Sequence, residues 1–204
     1  MQKYVIIDTE TTGLDAERHE IVSFGGIVLI DHKIVETIEI KIKPAHIDTA
    51  DPKALDINGY NPDKWQYANT QKEGAYKIAD FIERHRDKIF AGHNLQFDIK
   101  FIQALGKNQN VYMSIPAMYP YIDTRDLCRS MLSGYGLSSM SLDNICAFLG
   151  WNRRASHTAL SDCEDCAKII INFCPPTPKI FVRLSTMKLL RNFRSLIDAT
   201  NKQS

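Results

Sequence analysis

The feature that most constrains the fold is a short apolar run near the amino terminus that leads into two acidic residues. The run Tyr4-Val5-Ile6-Ile7 has no polar face and is rich in β-branched residues. It predicts a central strand that is buried on both faces. Asp8 and Glu10 follow two positions apart, so the alternation of a strand directs both carboxyl groups to the same side.

The rest of the chain predicts one α/β domain. Two further strands are predicted over residues 21–30 and 34–42, and the second alternates apolar and charged residues, as expected for a meander with one solvated face. Residues 44–72, rich in Pro, Asn and Asp, predict an irregular connection with short helical turns. Later helices are predicted over residues 73–88, 97–105, 124–132, 141–149 and 158–173, with short strands at 89–91 and 121–122. This order implies a mixed β-sheet flanked by helices.

Length and cysteine content indicate the class of protein. A chain of 204 residues that is 44% hydrophobic fits one catalytic domain with an ample core. It contains no apolar segment long enough to span a membrane and no apolar signal segment at its start, so we expect a soluble, unexported, cytoplasmic protein. Five cysteines are an odd number, which favours free thiols. Cys163 and Cys166 have zinc-like spacing but lack a second pair, and they share a helix face, which favours core packing.

The charge is divided unevenly along the chain. The net charge is +1, but residues 179–204 carry six Lys or Arg and one Asp, which leaves the body acidic. An acidic body argues against a protein that coats DNA by phosphate neutralisation alone, but it does not argue against a nuclease whose acidic site is filled by divalent metal. We therefore divide the chain into a catalytic domain over residues 1–178 and a basic amphipathic helix or tail over 179–204. The tail could contact nucleic acid, an anionic membrane or a partner, although packing on the body is favoured.

Two further motifs place acids at helix starts. His93-Asn94-Leu95-Gln96-Phe97-Asp98 follows a predicted strand, and His157-Thr158-Ala159-Leu160-Ser161-Asp162 opens the last helix. Each acid alone is common there because it complements the helix dipole. In open α/β sheets, however, ligands bind beyond the carboxyl ends of strands, and hard divalent cations prefer carboxylate oxygens.

The combination resembles a known family. D-x-E-T-T-G-L from Asp8, H-N-x-x-F-D from His93 and H-x-x-x-x-D from His157 are similar to the motifs of DEDDh 3′-to-5′ exonucleases, over about residues 4–173. The resemblance implies a ribonuclease-H-like fold and two divalent metal ions, Mg²⁺ or Mn²⁺. It also implies metal ligation and catalysis by four carboxylates, with a histidine as general base: Asp8, Glu10, Asp98, Asp162 and His157.

The resemblance also implies a substrate. Thr11, Leu14, Asn94 and Phe97 would hold the terminal nucleotide of a single-stranded or frayed 3′ end. Single-stranded DNA is favoured, because the layout looks most like proofreading exonucleases related to the epsilon subunit of the bacterial replicative polymerase.

Several alternatives stay open at this point. RNA-trimming relatives share the same five catalytic residues, so an exoribonuclease is an alternative. A non-catalytic module that binds nucleic acid or a polymerase is an alternative of another class. A polymerase is a candidate partner, although the tail lacks a clear clamp-binding segment and is shorter than that subunit's polymerase-binding extension. The family includes monomers and homodimers, and no charge pattern decides between them.

Overall fold

The fold is built on one mixed sheet. The computed structural model describes residues 2–113, 121–137, 139–152 and 158–176, together with positions 180, 182, 184–186 and 188. Within this part of the chain, five strands form a sheet in the order β3-β2-β1-β4-β5. The strands are β1 (Lys3–Thr11), β2 (Ile21–Ile30), β3 (Lys33–Lys41), β4 (Ile89–Gly92) and β5 (Tyr121–Asp123).

The sheet topology confirms the predicted meander and central strand. β1, β2 and β3 pair antiparallel, whereas β4 pairs parallel to β1 and β5 parallel to β4. β1 is longer than its apolar run, because pairing with β2 continues through Glu10 opposite Ser23 before the register shifts. Asp8 and Glu10 therefore belong to the strand itself.

Six α-helices connect and cover the strands in the described part of the chain. They are α1 (Pro52–Asn58), α2 (Gln71–Arg84), α3 (Leu95–Gln109), α4 (Thr124–Leu132), α5 (Leu142–Phe148) and α6 (Ala159–Phe173). α2 begins two residues before its predicted start, because Thr70 and Glu73 form a capping box. α3 extends beyond its predicted bounds at both ends, and Asn94 and Asn110, both in left-handed conformations, flank it.

The apolar side chains form one core on each side of the sheet. Tyr4 and Ile6 of β1 join the core that contains α4, α5 and α6, whereas Val5 and Ile7 join the core that contains α2 and α3. This division follows from the alternation of side chains along a strand. A mixed sheet with helices on both faces agrees with the predicted fold class.

The cysteine pair and the start of the tail both contribute to the α6 core. Cys163 and Cys166 are fully buried, as expected from packing rather than metal binding, and burial raises the pKa of both thiols. Ile180 and Leu184 are also buried in this core, which agrees with a tail that packs on the body. Most of residues 179–204 lies outside the described residues. In the described part of the chain, no helix is both long and apolar enough to cross a bilayer.

Candidate active site

Three acidic side chains converge at the carboxyl end of the central strand. Asp8 and Glu10 lie on β1, and Asp162 lies in the first turn of α6. Each of the three offers a carboxylate oxygen, and these oxygens all lie within 4.8 Å of one another. All three side chains are partly buried. Like charges at this separation repel, so the cluster is a natural site for a cation.

The position of Asp162 depends on the start of α6. Thr158 and Ser161 form a reciprocal capping interaction, in which the Thr158 hydroxyl accepts from the Ser161 amide at 3.2 Å. α6 begins directly over Gly25 of β2, which pairs with Asp8. A Cβ at Gly25 would lie 2.5 Å from the Ala159 carbonyl oxygen and the Leu160 amide nitrogen. The absence of a side chain at Gly25 therefore lets α6 bring Asp162 close to β1.

Asp98 reaches the same strand from the α3 side of the sheet. Its Oδ1 accepts from the Thr9 amide at 2.8 Å and from the Thr9 hydroxyl at 2.7 Å. The pairing of β1 with β4 ends at Ile6 and Ala91, so Asp98 supplies the acceptor that a strand would otherwise provide. Burial raises the pKa of Asp98 to about 7, although the hydrogen bonds from Thr9 oppose this shift. A nearby cation would favour its ionised form.

The first turn of α3 is held by an acid from another strand. Asn94 has a φ of 65°, and its side chain makes no capping hydrogen bond. Instead, Asp123 at the end of β5 accepts from the amides of Asn94 and Leu95, both at 3.1 Å. Asp123 also caps its own helix by accepting from the Arg125 amide at 2.9 Å. One carboxylate thus fixes the starts of α3 and α4, and thereby the position of Asp98.

Sequence reasoning missed two of these positioning residues. The close approach at Gly25 has no local signal, because it depends on how α6 packs on β2. The double role of Asp123 depends on β4 and β5 being neighbours in the sheet. An Asp at the end of a strand and before a helix does predict a cap for that helix, so the capping of α4 by Asp123 could have been predicted.

The turn after β1 is fixed by hydrogen bonds. Thr12 and Glu20 pair through a backbone bond of 2.8 Å, and the Thr12 hydroxyl accepts from the Glu20 amide at 2.9 Å. The Thr11 hydroxyl donates to the Gly13 carbonyl at 2.6 Å, and the Asn58 side chain donates to the Thr11 carbonyl at 2.9 Å. Thr11 is buried, so its hydroxyl stabilises the turn in this structure.

The turn and α3 form the two walls of a groove. Leu14, which is 81% exposed, lies on one wall, and Asn94 and Phe97 lie on the other. The groove has a volume of about 690 Å³. Phe97 is partly buried, and its ring packs on Phe101 with a centroid distance of 4.8 Å. An exposed leucine and an aromatic ring that line the same groove suit the apolar faces of a nucleobase.

The structure therefore brings most of the predicted residues to one end of the sheet. Asp8, Glu10 and Asp162 cluster, and Asp98 bonds to Thr9, the residue between the first two acids. His157 lies outside the described residues. In the sequence it directly precedes Thr158, which caps α6.

A comparison with protein-family models gives a direct match. Residues 5–170 match the model of an exonuclease family named RNase_T. The match includes the four predicted metal ligands and the predicted general base: Asp8, Glu10, Asp98, Asp162 and His157. The chain belongs to this exonuclease family.

Some of the similar proteins are named as DNA polymerase III proteins and one as a ribonuclease. The chain is 30% identical over 190 residues to the PolC-type DNA polymerase III of Thermotoga maritima, covering 93% of this chain and 13% of that protein. It is 27% identical over 187 residues to the DNA polymerase III epsilon subunit of Pasteurella multocida, covering 88% and 71% of the two chains. It is 29% identical over 185 residues to the ribonuclease T of Baumannia cicadellinicola, covering 83% and 81%. The chain thus corresponds to a small part of the PolC-type relatives.

The fold also has a solved counterpart. E. coli exonuclease I, in a crystal structure with a dT13 oligonucleotide, superposes with a TM-score of 0.76 at 17% sequence identity. The superposition covers 90% of this chain and 43% of exonuclease I. This likeness confirms the ribonuclease-H-like fold that was expected from the sequence.

Proposed function

We propose that this protein is a metal-dependent 3′-to-5′ exonuclease that removes nucleotides from single-stranded 3′ ends and releases nucleoside 5′-monophosphates. The observation that carries the proposal is the convergence of Asp8, Glu10 and Asp162 within 4.8 Å, in a chain of the exonuclease family. Asp98 joins them through Thr9.

The donor set fits hard divalent cations. Carboxylate oxygens are the preferred ligands of Mg²⁺ and Mn²⁺, and the described cluster contains neither thiolate nor imidazole ligands. We propose two Mg²⁺ or Mn²⁺ ions held by Asp8, Glu10, Asp98 and Asp162. When bound, such a pair stabilises the negative charge that develops on the attacking and leaving oxygens at phosphorus.

The proposed roles of the protein's own side chains are to hold the cations and to accept a proton. The four carboxylates hold the cations and thereby neutralise a site that would otherwise repel a phosphodiester. By resemblance, a neutral His157 imidazole accepts the proton of the attacking water. Its protonation in acid would remove that acceptor, so activity should fall as the pH drops through its pKa.

The groove beside the carboxylates suits the terminal nucleotide. Leu14 would wedge against a base, and Phe97 would support the nucleotide from the opposite wall. Asn94 lines the same groove, and the Thr11 hydroxyl stabilises the turn that precedes Leu14. Extracting a base from a duplex costs a few kcal/mol, so such a grip favours single-stranded or frayed ends.

We favour DNA as the substrate, with RNA as the second candidate. The PolC-type and epsilon relatives are named as DNA polymerase III proteins, and E. coli exonuclease I was solved with a dT13 oligonucleotide. The relative named ribonuclease T, which this chain matches over 81% of its length, supports the RNA alternative. The PolC-type and epsilon relatives support a polymerase as a candidate partner.

The test is a cleavage assay on both polymers. Oligonucleotides of DNA and RNA, labelled at the 5′ end, are incubated with Mg²⁺, Mn²⁺ or a chelator, alongside Asp8→Ala. The proposal expects a ladder that shortens from the 3′ end and is lost with chelator and in the variant. The relative rates of shortening show whether the protein prefers DNA or RNA. Binding without shortening of either polymer would instead support a non-catalytic binding module.

A further inference from the structure

Helix α3 carries an exposed polar stripe that the proposed nucleotide site does not use. Gln96, Lys100, Gln103 and Lys107 follow one another at intervals of four, three and four residues, and all four are exposed. Residues at these intervals lie on one face of a helix. The stripe starts next to Asn94 and Phe97 and runs away from the carboxylates.

The stripe lines a continuous depression. Lys100, Gln103 and Lys107 border the groove that contains Leu14 and Phe97. A second depression of about 500 Å³ shares Gln103 and Lys107 with it and is also lined by Tyr112. We call the surface formed by Gln96, Lys100, Gln103, Lys107 and Tyr112 the α3 groove.

Tyr112 is a large aromatic side chain that is exposed to solvent and lines the second depression. It is 86% exposed, although it directly follows the buried Val111, which lies two residues beyond the end of α3. An aromatic ring held in solvent can stack on a nucleobase of any sequence. Its place at the far end of the α3 groove suits that role.

The lysines of the α3 groove are available to an anion. Lys107 Nζ lies 3.9 Å from Glu17 Oε2, but the two side chains are 75% and 81% exposed. Such an exposed ion pair contributes little and is readily replaced by a phosphate. Lys100 is not within ion-pair distance of any acidic side chain in the described residues.

We infer that the α3 groove binds the single-stranded segment that precedes the terminal nucleotide. Lys100 and Lys107 bind its phosphates, and Tyr112 stacks on one of its bases. The two lysines lie seven residues apart, or roughly 10 Å along the helix at ~1.5 Å per residue. At ~3.4 Å per stacked nucleotide, the two bound phosphates are about three nucleotides apart. This inference rests on the proposed function, because it extends the same substrate path.

The inference gives quantitative expectations for variants. Removing one phosphate contact should reduce the slope of log affinity against log salt by about 0.7 on a single strand. Lys100→Ala and Lys107→Ala should each cause this change, and together about twice as much. Tyr112→Ala should weaken binding at least about fivefold, the lower end of the effect of losing a stacked base. Binding of dinucleotides should be little affected by Lys107→Ala or Tyr112→Ala, because a dinucleotide in the groove beside Leu14 and Phe97 is too short to reach Lys107 and Tyr112.

The experiment measures binding and cleavage separately in the full chain. Fluorescein-labelled oligo(dT) of two to ten nucleotides is titrated by anisotropy in Ca²⁺ at several salt concentrations. Lys64→Ala and Tyr67→Ala are the controls, because they remove an exposed lysine and a 93% exposed tyrosine from the loop around Trp65. A second arm replaces single phosphates with neutral methylphosphonates. A methylphosphonate at the position that contacts Lys107 should have no further effect in Lys107→Ala.

The outcomes separate this inference from the proposed function. Hydrolysis of the p-nitrophenyl ester of thymidine 5′-monophosphate reports the carboxylate site without the α3 groove. If the α3-groove variants hydrolyse this ester at the wild-type rate but bind oligonucleotides more weakly and with less salt dependence, the inference is supported. If the α3-groove variants hydrolyse the ester at the wild-type rate and bind oligonucleotides as the control variants do, the inference is overturned. If the wild type cleaves neither substrate, the proposed function fails, and the salt slopes still decide whether the α3 groove binds the strand.

Discussion

The close contact between Gly25 and the start of α6 makes a quantitative prediction. In Gly25→Ala, the new Cβ would lie 2.5 Å from the Ala159 carbonyl oxygen and the Leu160 amide nitrogen. Non-bonded atoms prefer ~3.5–4.0 Å, so the start of α6 must move by at least ~1 Å. The obstructing atoms are backbone and cannot rotate away. Because Asp162 lies in the first turn of α6, this movement separates it from Asp8 and Glu10.

We expect Gly25→Ala to lose both stability and activity. Overpacking of this kind typically costs ~1–3 kcal/mol of unfolding free energy. A misplacement of ~1 Å can lower the rate by about 10²-fold. Urea unfolding measures the first quantity, and hydrolysis of the p-nitrophenyl ester of thymidine 5′-monophosphate in Mn²⁺ measures the second.

Two other glycines provide matched controls. In Gly26→Ala the Cβ would meet the Phe81 ring at 2.7 Å, on the face of the sheet away from α6. That variant should lose stability while folded molecules keep nearly full activity. In Gly134→Ala the Cβ has no neighbour within 4 Å, so both quantities should stay close to the wild type. Wild-type activity in Gly25→Ala, or an equal loss in Gly26→Ala, would refute the reasoning.

Three further predictions concern residues outside the carboxylate cluster. Burial lowers the pKa of His85, although the Glu36 carboxylate opposes the shift, so the unfolded chain binds protons more readily. The free energy of unfolding should therefore fall as the pH drops below about 6.5, and less steeply in His85→Gln; equal slopes in urea unfolding would contradict this. Cys163 and Cys166 are fully buried, so Ellman's reagent should modify them only after unfolding, and rapid reaction in the native protein would argue against their packing. Asp123→Ala leaves three helix-start amides without their acceptor and should cost about 1–2 kcal/mol by chemical denaturation, whereas a change within error would remove Asp123 from the account of α3.

Much of the fold follows from local patterns in the sequence. The run Tyr4–Ile7 predicted a central strand because both of its faces are apolar, and β1 is indeed flanked by β2 and β4. The predicted bounds of α4 agree with the structure, and those of α2 miss the capping box at Thr70. Helix ends were harder to predict than helix existence, because they depend on a few side-chain contacts and on left-handed residues such as Asn110.

The candidate site was predictable as a set of motifs but not as a geometry. Spacing alone placed Asp8 and Glu10 on one side of a strand. It did not show that Gly25 makes room for α6, or that Asp123 fixes the start of α3. Both contacts join residues far apart in sequence, so they depend on the order of strands in the sheet.

Counting bound Mn²⁺ ions tests whether the carboxylates form a two-metal site. Free Mn²⁺ is followed by electron paramagnetic resonance during titration of the wild type, Asp162→Asn and Glu164→Gln. Glu164 is the matched control, because it is a partly buried acid two residues from Asp162 on α6 and outside the carboxylate cluster. The account predicts two bound ions in the wild type and in Glu164→Gln, and clearly weaker binding in Asp162→Asn. Identical titrations for all three proteins, or no binding by the folded wild type, would contradict it.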